Sequence, residues 1–536
     1  MPRTAVYRAA AAGRPLWIFL HDKGPVEQLR KVSPGDGISP RAAARIARRG
    51  GAHEPESDHP VFAPYRDSLI AAGVRIQAES RWFNAVAGRI DSAGVDRVAS
   101  LTFVDSLCPV ALFTRPRQED GGALPRLEKP ALPPPGTNDY GTSLSQIAAI
   151  QVDSLHKLGL DGNGVRIGFL DTGFSLDIDA FSSLDLIGMR DFIHGDDDVG
   201  DGDTVAMRHG TGTLSVCGGW APGELIGVAY DAEYVVAKTE LTNDEIQIEE
   251  SYWVAGLEWL DSMGCDLVSS SLGYTNWYTD ADYDGMTAIS TLAADHAAAR
   301  GLLVVNAVGN SGCDGDRIHI IVPADGDSVL AVGASDHDGE TVIFSSCGPT
   351  SDGRIKPDVM APGVRVWSAD PRNGQYGYSS GTSFATPLVA GVCALLLQMD
   401  PSLTPLGLIE LLRSTATKAR KPMNTYGWGM VQAVRAASLL DTTPEPGYQD
   451  IAVWPNPADS QITIALPDQD SAANWRVEVY TAAGQPVDQW DVVGYDRTSW
   501  PGTNSNGLPV AAGVYLVRVK SPTRERIIKV AWMPRR

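Results

Sequence analysis

No run of eighteen apolar residues occurs among the 536 positions of this chain, so no segment reads as a membrane-crossing helix. Cysteine is scarce as well. The six thiols, Cys108, Cys217, Cys265, Cys313, Cys347 and Cys393, are too few for a disulfide scaffold and allow fifteen complete pairings. Cys217, Cys265 and Cys393 stand in apolar runs and read as small core residues. Cys313 and Cys347 lie in loop-like sequence and are the one pair worth testing for a bond. Positive charge is also short, with 44 Lys plus Arg against 65 Asp plus Glu and a formal net charge of -21. That balance argues against nucleic acid as a partner. The shortage is uneven: residues 1–114 hold fifteen basic and eleven acidic side chains, so the remainder carries the whole negative excess. Finally, Met1 to Gly13 lacks the apolar core of roughly seven to fifteen residues that a secretory leader needs.

Length and a hydrophobic content of 43% call for two or three domains. Residues 1–128 read as a small α+β domain. Leu16 to Leu20 is an apolar strand, Ser39-Pro40 caps a helix that stops at Gly50-Gly51, and Pro64 to Ala72 forms another helix. Val74 to Gln77, Trp82 to Ala87 and Leu101 to Val104 complete its strands. From Arg115 to Thr137 the chain is a linker, densest in proline over 129–139, where ring-locked residues block regular hydrogen bonding and leave an extended chain open to proteolysis. Residues 140–441 alternate unbroken apolar strands, at 165–170, 234–237, 266–272, 302–308 and 329–332, with helical stretches at 246–263 and 286–300. Such alternation implies an α/β domain, a mostly parallel sheet flanked by helices. Beyond a loop at 442–449, residues 450–536 switch to period-two strands at 461–466, 475–480 and 514–520 and read as a small β-sandwich.

Three motifs carry chemistry. The run Ser380-Gly381-Thr382-Ser383-Phe384-Ala385-Thr386-Pro387 sets Ser383 at a loop-to-helix junction among small residues. Val165 to Gly173 is a buried-strand pattern ending on Asp171, and Arg208-His209-Gly210-Thr211 puts His209 at the mouth of another helix. A serine hydroxyl needs a base within hydrogen-bond reach, and an imidazole needs a carboxylate to hold its tautomer. Asp171, His209 and Ser383 supply all three, in the order Asp, His, Ser. A fourth group, Asn310 in Gly309-Asn310-Ser311-Gly312, is an amide able to donate to an oxyanion beside the backbone N–H of Ser383.

This order and these motifs resemble the subtilisin-like (subtilase) serine peptidase family. Ser271-Leu272-Gly273, Asn306 to Gly312, Phe344-Ser345-Ser346, Lys356-Pro357-Asp358, Ala361-Pro362-Gly363 and Gly427-Trp428-Gly429 extend the resemblance over about 140–437. One residue departs from the pattern: Gly212 stands three positions after His209, where most members carry a second histidine. The resemblance implies a subtilisin-like fold and a secreted serine endopeptidase that works through an acyl-enzyme and is made as a zymogen. It also implies that Ser271, Leu272 and Gly273 supply a strand edge for substrate backbone, and that Ala307, Val308 and Gly309 line the specificity pocket. Ile18 to Gly24 and Ser80 to Val86 resemble the propeptides of secreted subtilases. Trp454-Pro455-Asn456-Pro457-Ala458, Ala482 to Gln485 and Ala512 to Leu516 resemble the C-terminal sorting domains of type IX secretion.

The partners expected are therefore polypeptide substrates, the chain's own propeptide and a secretion machinery, with a secreted or cell-surface location. Met1 to Gly13 sits against export, unless the chain's true start lies upstream. No cofactor is required and no metal site is assigned. Asp196 to Asp203 has oxygen donors for a structural calcium, but its spacing departs from a full EF-hand loop, and it reads as a solvated loop. A serine esterase of the α/β-hydrolase type is excluded, since it needs Gly-x-Ser-x-Gly and the order Ser, acid, His. The alternative function is a catalytically inactive surface or adhesion protein of the same fold.

Overall fold

The structure is a computed structural model that describes residues 3–25, 38–51, 55–110, 138–200, 202, 204–241, 246–313, 318–372, 375–440, 452–454, 461–466, 474–481, 484–493, 497–521 and 525–532. The proline-rich linkers at 115–137 and 442–449, along with Asp201 and Asp203, lie outside the described residues. The chain divides into two compact units, 1–436 and 437–536.

At the centre of the first unit is a seven-stranded sheet. Its strands run, edge to edge, Val359–Pro362, Val329–Ser335, Leu303–Ala307, Leu267–Ser270, Arg166–Asp171, Glu233–Lys238 and Asp185–Asp191. Each neighbouring pair is parallel. Side chains along the inner strands are buried on both faces, the pattern that parallel strands covered by helices require. Thr204–Gly218, Ile248–Ser262, Ile289–Ala299 and Thr382–Met399 are the principal helices. Thr382–Met399 is long and apolar enough to cross a membrane, but 89% of it is buried inside the unit, where it serves as a core helix.

All the expected inner strands form. The two edge strands, Asp185–Asp191 and Val359–Pro362, were not anticipated: one is largely exposed, with Ile187 and Met189 facing outward, and the other is four residues long and ends on proline. Ser271 to Gly273, expected as a strand edge, lies just past the last paired residue, Ser270, and carries on as irregular chain.

The N-terminal part, also within this unit, forms a four-stranded sheet ordered Arg75–Ser80, Ala85–Arg89, Pro15–Leu20, Val104–Pro109. Helix Pro40–Arg48 is capped by the Ser39 hydroxyl, which accepts from the Ala42 N–H. Arg3–Ala11 is a helix whose Val6, Ala9 and Ala10 enter the local core. Ser92–Ala99 is a further helix capped by Asp91. The strand expected at Trp82–Ala87 begins only at Ala85. Residues before it turn at Asn84, whose φ is 47° and whose amide donates to the carbonyls of Leu20 and Asp22. The strand expected at Leu101–Val104 starts at Val104, because Leu101 closes the turn that ends the preceding helix.

The second unit contains antiparallel sheets of three and four strands. Trp475, Val477, Val479, Val517, Val519, Trp500 and Trp532 point into a common core, as the period-two pattern requires.

Candidate active site

Open parallel sheets gather ligands at the carboxyl ends of their strands, and there the candidate residues converge. Asp171 is the last residue of its strand and is 1% exposed. Its Oδ1 accepts from His209 Nδ1 at 2.6 Å and from the Thr172 N–H at 2.8 Å, while Oδ2 accepts from Thr213 Oγ1 at 3.0 Å. With donors on both oxygens the carboxylate cannot rotate, and it presents one fixed acceptor to the imidazole. His209 sits in the second turn of helix Thr204–Gly218, not at its mouth. The close approach of that helix to the strand end depends on Gly210: a Cβ there would lie 2.2 Å from the Gly173 carbonyl oxygen and 3.0 Å from the Asp171 Cβ.

Ser383 is the second residue of helix Thr382–Met399 and is 8% exposed. Its Oγ lies 3.5 Å from the Ser271 carbonyl, while Ser271 Oγ donates to the Ser383 carbonyl at 2.8 Å. This reciprocal pair ties the serine to the end of strand Leu267–Ser270. Gly381, the residue before the helix, has φ 143°, a conformation other residues adopt only under strain. At a helix N-terminus the backbone N–H groups lack intrahelical acceptors and the dipole favours developing negative charge.

Asn310 faces that terminus. Its Oδ1 accepts from the Thr382 N–H at 2.9 Å and from Thr382 Oγ1 at 3.0 Å, which leaves Nδ2 as the outward donor, 3.5 Å from where a Cβ of Gly381 would stand. The loop is clamped from behind. Ser346 N donates to the Gly309 carbonyl, and Ser346 Oγ accepts from the Ser311 N–H, both at 2.9 Å. Cys313 and Cys347 are bonded across the same two loops, with Cα atoms 5.5 Å apart. The remaining core thiols are inert: burial pushes Cys217 up to about 12 and raises Cys265 and Cys393 further.

The departure at Gly212 has a packing partner. The Phe384 ring, next to the serine, comes within 3.1 Å of where a Gly212 Cβ would be and meets the His209 ring edge-on at 6.0 Å. An aromatic side chain occupies the space that a larger residue at 212 would need.

Of the residues expected along the substrate cleft, Leu272 and Val308 have their side chains in the core, so only their backbone is available to a ligand. Even that is partly engaged: the Leu272 carbonyl accepts from Asn306 Nδ2, and the Val308 carbonyl accepts from the Ile321 N–H. Ser271 and Ala307 are buried, and Gly273 and Gly309 face each other across Ile321. A Cβ on Gly273 would lie 2.4 Å from Ile321 Cδ1, and one on Gly309 would lie 3.0 Å from Ile321 Cγ2. Asp196 and Asp198 turn their carboxylates onto N–H groups of their own loop. Among the described residues no group of three or more His, Cys, Asp or Glu could hold a metal.

Sequence reasoning missed Thr213, Thr382, Ser346, Phe384 and Ile321. Thr382, Phe384 and Ser346 stand inside motifs already singled out, without a role assigned, and Thr213 stands four residues after His209 on one helix face.

Comparison with known proteins finds three family matches along the chain. Residues 162–429 match the model of the Subtilase family, 15–121 match a Peptidase S8 propeptide domain of Bacteroidota, and 452–531 match a secretion system C-terminal sorting domain. Subtilisin DY of Bacillus licheniformis is 34% identical over 294 residues, which span 54% of this chain and 97% of that protein. Subtilisin E of Bacillus subtilis is 28% identical over 380 residues, 70% of this chain and 86% of that protein. Among solved structures, a cold adapted subtilisin-like serine proteinase is 29% identical with a TM-score of 0.40, covering 51% of this chain and 90% of that one.

Proposed function

The chain belongs to the subtilase family of serine peptidases, and from that premise we propose that Asp171, His209 and Ser383 form its catalytic triad, with Asn310 as oxyanion donor. The observation that carries this reading is the 2.6 Å contact from His209 Nδ1 to a carboxylate locked by Thr172 and Thr213, with Ser383 held at the neighbouring strand end. Ser383 Oγ attacks the scissile carbonyl while His209 Nε2 takes its proton. Asp171 stabilises the imidazolium that forms. Negative charge on the tetrahedral oxygen is met by Asn310 Nδ2 and the Ser383 N–H. His209 then returns the proton to the leaving amine, and a water activated by the same imidazole releases the acyl group. Processed enzyme incubated with an unfolded polypeptide should generate new termini. An intact polypeptide after prolonged incubation would favour the inactive-homologue alternative.

Ile321 bears on the choice of substrate. Substrate backbone running beside Ser271 to Gly273, with its carbonyl at Asn310, brings the side chain on the acyl side of the scissile bond against Ile321, so small residues are favoured there. Ile321→Ala is expected to raise kcat/KM for a phenylalanine substrate relative to an alanine one by about tenfold or more. An unchanged ratio would remove Ile321 from the pocket.

The N-terminal propeptide domain is assigned the role of zymogen inhibitor, and the C-terminal sorting domain that of delivery. No proposed catalytic residue lies beyond 437, and the second unit has its own core. Truncation after Leu440 should leave turnover within about twofold of the full enzyme and abolish export in the native host. Loss of turnover on truncation would make the sandwich part of the catalytic unit.

A further inference from the structure

The N-terminal sheet packs Trp17, Ala78, Ala85 and Ala87 against Ile248 and Tyr252 of the catalytic part, and buried polar contacts lie at two further places. One is the turn after strand Arg75–Ser80, where the buried Glu258 carboxylate accepts from Ser80 Oγ and from the N–H groups of Arg81 and Trp82. The other is helix Pro40–Arg48, which ends at the amino-terminal end of the central strands, opposite the end that carries the catalytic groups. Strands Leu267–Ser270 and Leu303–Ala307 begin there, a strand length, or about 15 Å, from the residues that follow their far ends.

At this base the helices Ile248–Ser262 and Ile289–Ala299 also end, and the chain that follows them leaves buried carbonyls at Cys265, Asp266, Arg300 and Gly301 that need donors. Arginines of the N-terminal part supply them. Arg45, fully buried, donates to Asp261 and to the Cys265 carbonyl, and reaches the Arg300 carbonyl at 3.4 Å. Arg49, 3% exposed, donates to the carbonyls of Asp266 at 2.8 Å, Gly301 at 2.6 Å and Pro401 at 3.3 Å, and to Asp266 Oδ1 at 3.0 Å. Arg41 reaches Asp266 Oδ2 at 2.8 Å and the Gly164 carbonyl at 2.7 Å. A lysine ammonium is a single compact point charge, whereas this pattern of spread carbonyls and carboxylates uses the planar fork of a guanidinium.

Both carboxylates are buried, and the N-terminal part supplies most of their partners, although Asp266 Oδ2 also accepts from the Arg166 N–H at 3.1 Å. Among the described residues Asp261 takes Arg45 and Arg81 from it and Arg300 from the catalytic part. Burial pushes the Asp261 carboxyl up, but Arg45, Arg300 and Arg81 outweigh it and hold the group below the usual carboxylate range. The fit is close in shape too: a Cβ on Gly51 would lie 2.9 Å from the Ala299 carbonyl oxygen.

We propose that Asp261, Asp266 and the surrounding loop carbonyls form a guanidinium-binding surface that keeps the N-terminal part seated on the catalytic part after the chain between them is cut. This rests on the reading of that segment as an inhibitor released by cleavage. The surface lies away from the cleft, so it sets how long the cut complex lasts without touching the triad. Charge pairs this well buried are screened far less by salt than exposed ones, so moderate salt alone does not free the segment.

The test uses the full chain carrying Ser383→Ala, with a recognition site for an added sequence-specific protease placed within 129–139. After the cut, loss of the N-terminal segment is followed in time by native mass spectrometry. Arg45→Met with Arg49→Met is expected to speed release on the order of a hundredfold. Gly51→Ala, which wedges the same contact without altering charge, should speed release as well and serves if the arginine variant fails to fold. Release within threefold of the parent for the folded variants would overturn the proposal, and so would a parent complex that separates as soon as it is cut. Because the assay reads dissociation of an inactive chain, it stands apart from the peptidase reading. If the active chain hydrolyses peptide at full rate while the cut segment is still bound, the inhibitor reading fails and the anchor remains.

Discussion

Ser383→Ala is expected to lower kcat by on the order of 10⁶, the size of loss known for the nucleophile of subtilisin itself, and to leave the fold unchanged. The reasoning is local. Among the described residues Ser383 Oγ makes one hydrogen-bonding approach, 3.5 Å from the Ser271 carbonyl, so its removal leaves no strongly bonded buried partner without a mate. The helix position, the Gly381 turn and the Ser271-to-Ser383 backbone bond all survive. The same variant should keep its N-terminal segment covalently attached if the chain processes itself. Steady-state kinetics and a thermal unfolding curve check both halves. Turnover within tenfold of the parent would remove Ser383 from the chemistry.

Asn310→Ala is expected to act on kcat and hardly on KM. An oxyanion donor meets charge that exists only in the transition state, and in subtilisin the corresponding loss is about 10²–10³ in kcat. Two features suit this side chain to the role. Thr382 engages Oδ1 through both its N–H and its hydroxyl, fixing which end of the amide faces outward. Ser346 and the Cys313–Cys347 bond hold the loop from the other side. A rise in KM with kcat preserved would make Asn310 a turn residue that shapes the cleft.

How much of this was legible depends on range. The inner strands were visible because a strand buried on both faces is apolar at every position, and the catalytic loops because glycines and chemically committed residues recur at short spacing around them. Edge strands Asp185–Asp191 and Val359–Pro362 escaped notice because half-covered or very short strands lack that signature. Arg3–Ala11 looked like a leader without its apolar core; in the fold its small apolar side chains belong to the N-terminal core. Ser92–Ala99 was hidden by Gly94, a poor helix former that Asp91 compensates by accepting its N–H. The residues that orient the catalytic groups were the least legible. Thr382 and Asn310 are 72 positions apart, and Ser311 and Ser346 are 35 apart. No local pattern announces such pairs. Gly212 illustrates the same limit: its meaning appears only once Phe384 is seen against it and against His209. The arginines at 41–49 carry no signal in sequence that sets them apart, whereas Arg45 and Arg49 prove to be among the most buried polar side chains of the unit.

The central claim, that Ser383 is a nucleophile activated by His209 and Asp171, is tested most directly by labelling the processed enzyme with a fluorophosphonate and mapping the adduct by peptide mass spectrometry. The account predicts a single adduct, on Ser383, absent from Ser383→Ala and much slower to form in His209→Ala. An adduct on another residue, or continued peptide hydrolysis with Ser383 unmodified by excess reagent, would contradict it.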